Sequence, residues 1–431
     1  MMERETNPMT LRIGLIGAGN RGIDVYGTHL LDQRERARIV AISDPRRERL
    51  LHGGQLHSVP AAQLYGDAAA FWAAAPNLRL DAVIIASPDD THHAHTLHAV
   101  ALNLPILLEK PIANNPAHIQ DLQDRLRNYR PPVIIAHVLR YTPFFQVIKT
   151  LLDEKRIGQL IHINHTENIG YWHFAHSYVR GNWRRHDTAS PMVLAKSSHD
   201  LDILRWFAGA PVRDLSAYGA LHHFKASEAP AGSTAYCLDG CAVEAACPYS
   251  ARKIYLERFG AERDWAAWPN NVVTLDSTPQ GVRAALEDGP YGRCVYRCDN
   301  DVFDTYSINL QFENQVTATF TLTAFTEANT RTVHLVGTHG EIHGHMAKGE
   351  VVVADFRHRT QEVITLSDVT SDGHGGGDRA LLLNFIDLLE RYRRGELVTS
   401  LTAFHEALDS HSMAFRAHQA ASRNARLGPV N

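Results

Sequence analysis

The stretch that decides the fold runs from residue 11 to residue 31, LRIGLIGAGNRGIDVYGTHLL. Its first seven residues are an apolar run with the composition of a buried strand, and IDVYGTHLL has helical spacing. Between them lies Gly17-Ala18-Gly19-Asn20-Arg21-Gly22, a GxGxxG loop between a strand and a helix. Each glycine has a mechanical reason there: a tight turn at Gly17, close approach of backbone to a pyrophosphate at Gly19, and helix-on-strand packing at Gly22. The helix N-terminus supplies the positive end that faces the anion.

The next apolar run, ARIVAISD (37–44), ends in Asp44, at the distance where a carboxylate can accept from a ribose diol. A carboxylate there repels a 2′-phosphate and favours NAD, although Arg46 and Arg47 follow closely and could receive that phosphate. Three further runs, DAVIIASP (81–88), NLPILLEKP (103–111) and PPVIIAHV (131–138), alternate with helix-length segments Thr91–Leu102 and Pro116–Arg127. Apolar strands separated by crossover helices predict a parallel, doubly wound sheet.

After about residue 140 the pattern changes. FQVIKTLLDE (145–154) reads as a helix and QLIHINHTENI (159–169) as a half-buried strand. Met192–Phe207 has continuous helical spacing and ends at Gly209, a C-cap candidate. The runs at 307–325, 331–346 and 349–356 alternate like strands, and two helices, about 378–395 and 402–423, close the chain. The expectation is a NAD-binding domain over 1–138 and an α+β domain over 139–431. The second has a large, mostly antiparallel sheet, an irregular insert at about 225–300, and a flexible loop at His374–Gly377.

Composition excludes several classes. With 431 residues, two or three domains are expected. The formal net charge of −4 leaves no basic excess for a nucleic-acid backbone. No apolar run is long enough for a membrane span, and the polar start MMERETNPMT lacks a signal-peptide hydrophobic region, so a cytoplasmic protein is expected. Five cysteines, Cys237, Cys241, Cys247, Cys294 and Cys298, crowd into the irregular insert. A structural zinc is one reading of them. The spacing is not CxxC…CxxC, so free buried thiols are preferred, with no metal in the site. Of the histidines at 92, 93, 95 and 98, all but His92 read as solvated.

Glu109-Lys110-Pro111 ends the fourth strand. Strand C-termini in such a sheet open onto the ligand crevice, where a lysine can meet both cofactor and substrate and act as an acid or base. In the second domain, Lys196, His199 and Asp202 recur every three residues and would share one helix face, with His199 as general base and Lys196 as a second cation. Upstream, Tyr171-Trp172-His173 and Gly181-Asn182-Trp183-Arg184-Arg185 combine aromatic faces, which stack on sugar rings, with guanidinium groups, which pair with anions.

Together GLIGAGNRG (14–22), Asp44-Pro45, SPDDTHHAH (87–95), EKP (109–111), the Arg140 region and SHDLDILRWFAG (198–209) resemble the Gfo/Idh/MocA family of glucose–fructose oxidoreductases and inositol dehydrogenases. The resemblance implies a Rossmann domain, and a C-terminal domain whose sheet builds the substrate site and the interface of a homo-oligomer, dimer or tetramer. It implies NAD-dependent hydride transfer at a sugar, sugar-derivative or cyclitol hydroxyl. It carries cofactor roles onto the glycine loop, Asp44, Ser87, Pro88, His92 and Glu109, and a catalytic role onto Lys110. Arg140, Tyr171, Trp172, Trp183, Arg184 and Asp202 are then candidates for substrate contact. The family pattern Asp-x-x-x-His-x-x-Asp matches at His199 and Asp202, but Ala195 replaces the first acid, and Lys196 is the expected substitute. That departure keeps an alternative open: an NAD-dependent glycoside hydrolase that oxidises, eliminates, adds water and re-reduces, on an anionic sugar.

Overall fold

The computed structural model describes residues 10–258, 264–366 and 374–426. The chain divides into two compact units: Met1–Thr142 with His374–Leu408, and Pro143–Gly373 with Asp409–Asn431.

Unit 1 is built on a six-stranded sheet of β1 (Leu11–Ile16), β2 (Ala37–Ser43), β3 (Leu64–Tyr65), β4 (Ala82–Ile85), β5 (Ile106–Leu108) and β6 (Val133–Ile135). The order is β3-β2-β1-β4-β5-β6, and every pairing is parallel. The expected doubly wound sheet is therefore present, with β3 added at one edge. Ile13, Leu15, Ile84, Leu107 and Ile134 are fully buried, because helices cover both faces of such a sheet and leave no polar side. After the glycine loop the chain is helical from Asn20 to Leu31, and its first eight residues take the wider π turns.

The returning segment is where the units differ from the expected domain split. The helix Gly377–Arg393 places Leu381, Leu382, Phe385, Leu388 and Leu389 in the same apolar cluster as β1, β2 and β4. Thr402 accepts from the amide of Ile135 (2.9 Å), and Ala403 bridges Ile134. Residues 374–408 thus complete the core of unit 1. Gly375 and Gly376 take positive φ just before this helix, which begins at Gly377, the last residue of the expected loop.

Unit 2 carries an eight-stranded sheet of β7 (Leu160–Gly170), β8 (Val212–Ala220), β9 (Thr305–Phe312), β10 (Thr317–Thr326), β11 (Thr330–Gly337), β12 (Gly340–His345), β13 (Glu350–Asp355) and β14 (Thr360–Thr365). The order is β14-β13-β12-β11-β7-β10-β9-β8, antiparallel except for the β7–β10 pair. One face is apolar, with Ile163, Ile308, Phe320, Leu322, Leu335 and Ile342 buried. The other presents Asn164, Thr166, Ser307, Asn309, Thr319, Thr321, Thr332 and His334, in the strict alternation that a half-covered sheet requires.

The expected continuous helix Met192–Phe207 is broken. A single turn, Met192–Ala195, stops at Lys196, and a second helix, Ser198–Ala208, begins after Ser197 and ends at Gly209. The Ser197 hydroxyl donates to Glu167 Oε2 (3.1 Å), an interaction that favours a non-helical turn at this residue.

Candidate active site

In unit 1 the loop after β1, Ser87-Pro88 after β4 and Lys110 after β5 lie at the C-terminal ends of three adjacent strands. Gly17 has φ +94°, and a Cβ there would lie 2.4 Å from the Ala86 carbonyl oxygen. A Cβ at Gly22 would lie 1.9 Å from the Gly17 carbonyl oxygen. At Gly19 an added Cβ would meet only the tip of Arg46, at 3.2 Å, so this side of the loop is open to a ligand. The loop has the shape a dinucleotide pyrophosphate needs.

Asp44 is almost fully buried, accepting from the Ala18 amide (2.7 Å) and the Arg46 amide (2.9 Å). The Arg46 guanidinium also donates to it, at 3.1 and 3.0 Å. Asp44 thus fastens the glycine loop while staying beside its open side. The nearer candidate for a 2′-phosphate, Arg46, is tied to the carboxylate that would repel that phosphate.

Glu109 is held by protein groups on both carboxylate oxygens. It is 5% exposed, and Oε1 accepts from Arg21 Nε and from the Tyr26 hydroxyl, each at 2.6 Å. Oε2 accepts from the amide of Lys110 (3.1 Å). Arg21 also donates to Asp378 Oδ1 (2.6 Å). Burial alone would raise the Glu109 carboxyl, but Arg21 and Lys110 outweigh it and hold it below its ordinary value. Glu109 and Arg21 therefore brace the loop and the lysine from behind, and Lys110 precedes a cis peptide bond to Pro111. His92 plays a similar part: its ring, 1% exposed, spans the carbonyls of Pro111 (2.6 Å) and Ser87 (3.0 Å), tying two strand ends together. Its neighbours are not simply solvated. His93 pairs with Asp121 (2.8 Å), and His95 accepts from the Trp72 indole (3.1 Å), its pKa lowered to about 4 by burial. Arg140 is buried in unit 1 and donates to the Leu401 carbonyl (3.0 Å), with Glu406 at 3.7 Å. It fastens the returning segment.

In unit 2, His199 and Asp202 share a face of the helix Ser198–Ala208, both nearly fully buried. Lys196 lies outside this helix, so the expected three-residue face reduces to a pair. The Lys196 ammonium is 3.6 Å from Glu167 Oε1. Glu167 belongs to a buried charge network the sequence reading did not find. Arg331 on β11 donates to Glu167 Oε1 (2.5 Å) and to Asp200 Oδ1 (2.7 Å), and His165 pairs with Asp200 (2.7 Å). Burial pushes the Glu167 carboxyl up to about 7, against the pull of Arg331. Burial also acts to raise Asp200, but Arg331 and His165 hold it well below the usual carboxylate range. The signal was present in β7, where His165 and Glu167 occupy inward positions that alternation assigns to apolar residues.

The aromatic loop forms contacts with Trp268 and Tyr249 of the insert and with Tyr178 of its own segment. Trp172 packs against Trp268 (5.2 Å between centroids), Tyr171 against Tyr249 (6.1 Å) and Trp183 against Tyr178 (6.1 Å). Arg258 lies over the Trp172 ring at 4.2 Å. Arg184, the expected anion partner, donates to Asp299 (2.9 Å) and to the Gly181 carbonyl (3.3 Å). Trp268 and Arg258 were not legible, because they come from the least regular part of the chain.

Residues 11–137 match a family described as oxidoreductases with an NAD-binding Rossmann fold, and residues 149–424 match its C-terminal alpha/beta domain. The chain belongs to the Gfo/Idh/MocA oxidoreductase family. Unit 1 contains its NAD-binding Rossmann domain. Relatives include inositol 2-dehydrogenase 2 of Saccharopolyspora erythraea, 30% identical over 49% of this chain and 57% of that protein. Inositol 2-dehydrogenase of Streptomyces avermitilis is 28% identical over 52% of this chain and 59% of that protein. The chain thus spans under two thirds of the length of these relatives. Among solved structures, levoglucosan dehydrogenase with NADH and levoglucosan superposes with a TM-score of 0.67 at 14% identity, over 96% of this chain and 98% of that one. An inositol dehydrogenase homologue with NAD+ from Azotobacter vinelandii gives 0.68 at 13% identity, over 98% of each. At such identities these two show the fold. Among the described residues no helix is long and apolar enough to cross a membrane.

Proposed function

We propose that the protein oxidises a hydroxyl of a sugar, sugar derivative or cyclitol in an NAD-dependent reaction. The observation that carries this reading is the glycine loop, Asp44 and Lys110 gathered at one edge of a single parallel sheet, with Glu109 bonded to both the loop residue Arg21 and the Lys110 amide. The loop amides of Ala18–Gly22 would hold the pyrophosphate, Asp44 the ribose diol, and Ser87-Pro88 the far end of the cofactor. When bound, NAD accepts the hydride of the carbinol carbon. Lys110 takes or relays the hydroxyl proton, since it stands at a strand end with its backbone fixed by Glu109. In unit 2, His199 is the second acid–base candidate, Asp202 its neighbour on the helix, and Lys196 a cation held by Glu167. Tyr171, Trp172 and Trp183 offer faces for a sugar ring.

The names of the inositol 2-dehydrogenases support a polyhydroxylated ring as substrate. The redox-neutral glycosidase loses its main support, because Arg184 is bonded to Asp299 and Lys196 lies beside Glu167. The half-covered, Thr-rich face of the unit 2 sheet supports a homo-oligomer, dimer or tetramer, and the unpaired thiols support a cytoplasmic setting.

The test is a panel of sugars, cyclitols and aryl glycosides incubated with protein and NAD, following reduced nicotinamide and aglycone release in parallel. NADH formation with a cyclitol or sugar and no aglycone release is expected. Aglycone release without NADH accumulation would replace the dehydrogenase with the glycosidase.

A further inference from the structure

The antiparallel pair β11 and β12 carries three metal-ligating side chains that neither the core nor the proposed reaction uses. His334 on β11 stands directly opposite His343 on β12, and Glu341 lies two residues before His343. Alternation puts all three on the polar face of the unit 2 sheet, whereas Leu335 and Ile342 beside them are buried in its apolar face. A cross-strand pair holds its Cβ atoms about 4.5–5.5 Å apart, and a diagonal neighbour is within reach of a long side chain. The paired strands therefore set the three groups side by side before any ligand arrives.

Their end atoms converge. Glu341 Oε2 accepts from His334 Nε2 at 2.9 Å, and Glu341 Oε1 lies 3.6 Å from His343 Nε2. The two imidazoles are stacked, with centroids 4.0 Å apart and planes inclined by 13°. One carboxylate thus faces two ring nitrogens, through one hydrogen bond and one contact too long to be a hydrogen bond. The bond from His334 is the main effect holding the Glu341 carboxyl below its ordinary value, so at neutral pH it is a carboxylate that can ligate. Among the described residues, His334, Glu341 and His343 form the group of ligating side chains whose donor atoms all lie within 4.8 Å of one another.

Donor type and spacing select the ion. Two imidazoles with one carboxylate suit zinc, whereas magnesium and calcium take sets made of oxygens. Around a tetrahedral zinc, with bonds of about 2.0–2.2 Å, ligand atoms stand about 3.3–3.5 Å apart. The distances of 2.9 and 3.6 Å bracket that spacing, and turning the outer torsions of side chains on fixed strands closes the remainder. We propose that His334, Glu341 and His343 bind one zinc ion on the polar face of the unit 2 sheet. Each ring must offer Nε2 as a bare lone pair, so the proton that His334 donates to Glu341 moves to its Nδ1 or to solvent. Three protein ligands leave a fourth position for water. Solvent reaches the site, since the His343 side chain is 53% exposed, and both histidines line a depression with Asn164, Thr166, Thr332 and His345. The ion would pin β11 to β12, independently of any reaction at the nucleotide-binding sheet.

The test is calorimetric titration of the untagged full chain, stripped with a chelator, with zinc chloride. The expected result is a site with a micromolar or tighter Kd. His334→Ala, His343→Ala and Glu341→Gln should each weaken it by at least about tenfold. His345→Ala, the next histidine on the same face of β12 and outside the group, should leave it unchanged. Zinc should also raise the melting temperature of the wild type more than that of His334→Ala, as any ligand of the folded state does. Wild-type protein that binds zinc more weakly than about 100 μM would overturn the site, whatever the variants do. Micromolar affinity kept in both histidine variants would overturn it too, by placing the zinc elsewhere on the chain. Magnesium binding as tightly as zinc would overturn the choice of ion.

Discussion

The guanidinium of Arg21 lies 2.6 Å from the carboxylate of Asp378, joining the glycine loop to the first turn of the returning helix Gly377–Arg393. Both side chains are largely buried, and Arg21 also holds Glu109 behind Lys110. Removing one partner of such a pair leaves a charge without compensation, which costs about 3–5 kcal/mol. Asp378→Asn should therefore lower the melting temperature strongly and weaken NAD binding. Burial alone would raise the Asp378 carboxyl, but Arg21 and His374 hold it well below the usual carboxylate range. Its folded value is thus depressed, so its stabilisation is present above about pH 4 and is lost as the pH falls. Thermal melts should show the wild type and Asp378→Asn converging under acid; a gap that stayed constant from pH 7 to pH 3 would count against the ion pair.

Glu167 predicts the opposite pH trend. Burial raises its folded value to about 7, above the ordinary 4.5, so the folded state holds the proton more tightly. Its contribution to stability is complete below about pH 4.5 and is lost as the pH rises to about 7, with a slope of at most about 1.4 kcal/mol per pH unit. Glu167→Gln keeps hydrogen-bonding capacity toward Ser197 and Arg331 but cannot ionise. Melts between pH 5 and pH 8 should lose this slope in the variant.

Asp44→Ala removes the acceptor for a ribose diol and releases both the Ala18 amide and Arg46. NAD affinity should fall about 10–100-fold, the scale of a hydrogen bond to a charged group. NADP should be affected less, because the repelling carboxylate is gone and Arg46 is freed. Titration calorimetry with both nucleotides checks this; equal losses would mean that Asp44 only supports the loop.

His199→Ala and Lys196→Ala should each lower turnover by about 10²–10⁴, the range for an acid–base group, with NAD affinity unchanged. Lys110→Ala should be at least as damaging. Since Lys196 is outside the helix of His199 and beside Glu167, its loss should also shift the acid limb of the pH–rate profile. Near-normal turnover in His199→Ala would return that histidine to packing.

Light scattering at micromolar concentration should return a multiple of the 48.0 kDa chain mass. A monomer would mean that the Thr-rich sheet face is simply solvated.

The glycine loop and five of the six parallel strands were legible because each is a short apolar run with no polar face to dilute it. β3, only Leu64–Tyr65, is too short to leave a pattern, and β14 is largely exposed and lacks one. The break at Lys196–Ser197 was hidden because apolar spacing continues across it, and only the distant Glu167 discloses the reason. The charge network was missed for a related cause: His165, Glu167 and Arg331 read as interruptions of strand alternation until they are brought together. Periodicity also shows that residues 381–389 bury one helix face, but not which core that face enters.

The return of residues 374–408 to unit 1 has a consequence for synthesis. On a ribosome the glycine loop and all six parallel strands emerge well before residue 374, and the apolar face that receives Leu381, Leu382 and Phe385 stays bare until those residues have been translated. The last part of unit 1, residues 374–408, follows the long unit 2 segment Pro143–Gly373 in the chain. A nascent chain arrested before residue 374 should expose that face to chaperones, which makes synthesis of residues 374–408 a checkpoint on the folding of unit 1.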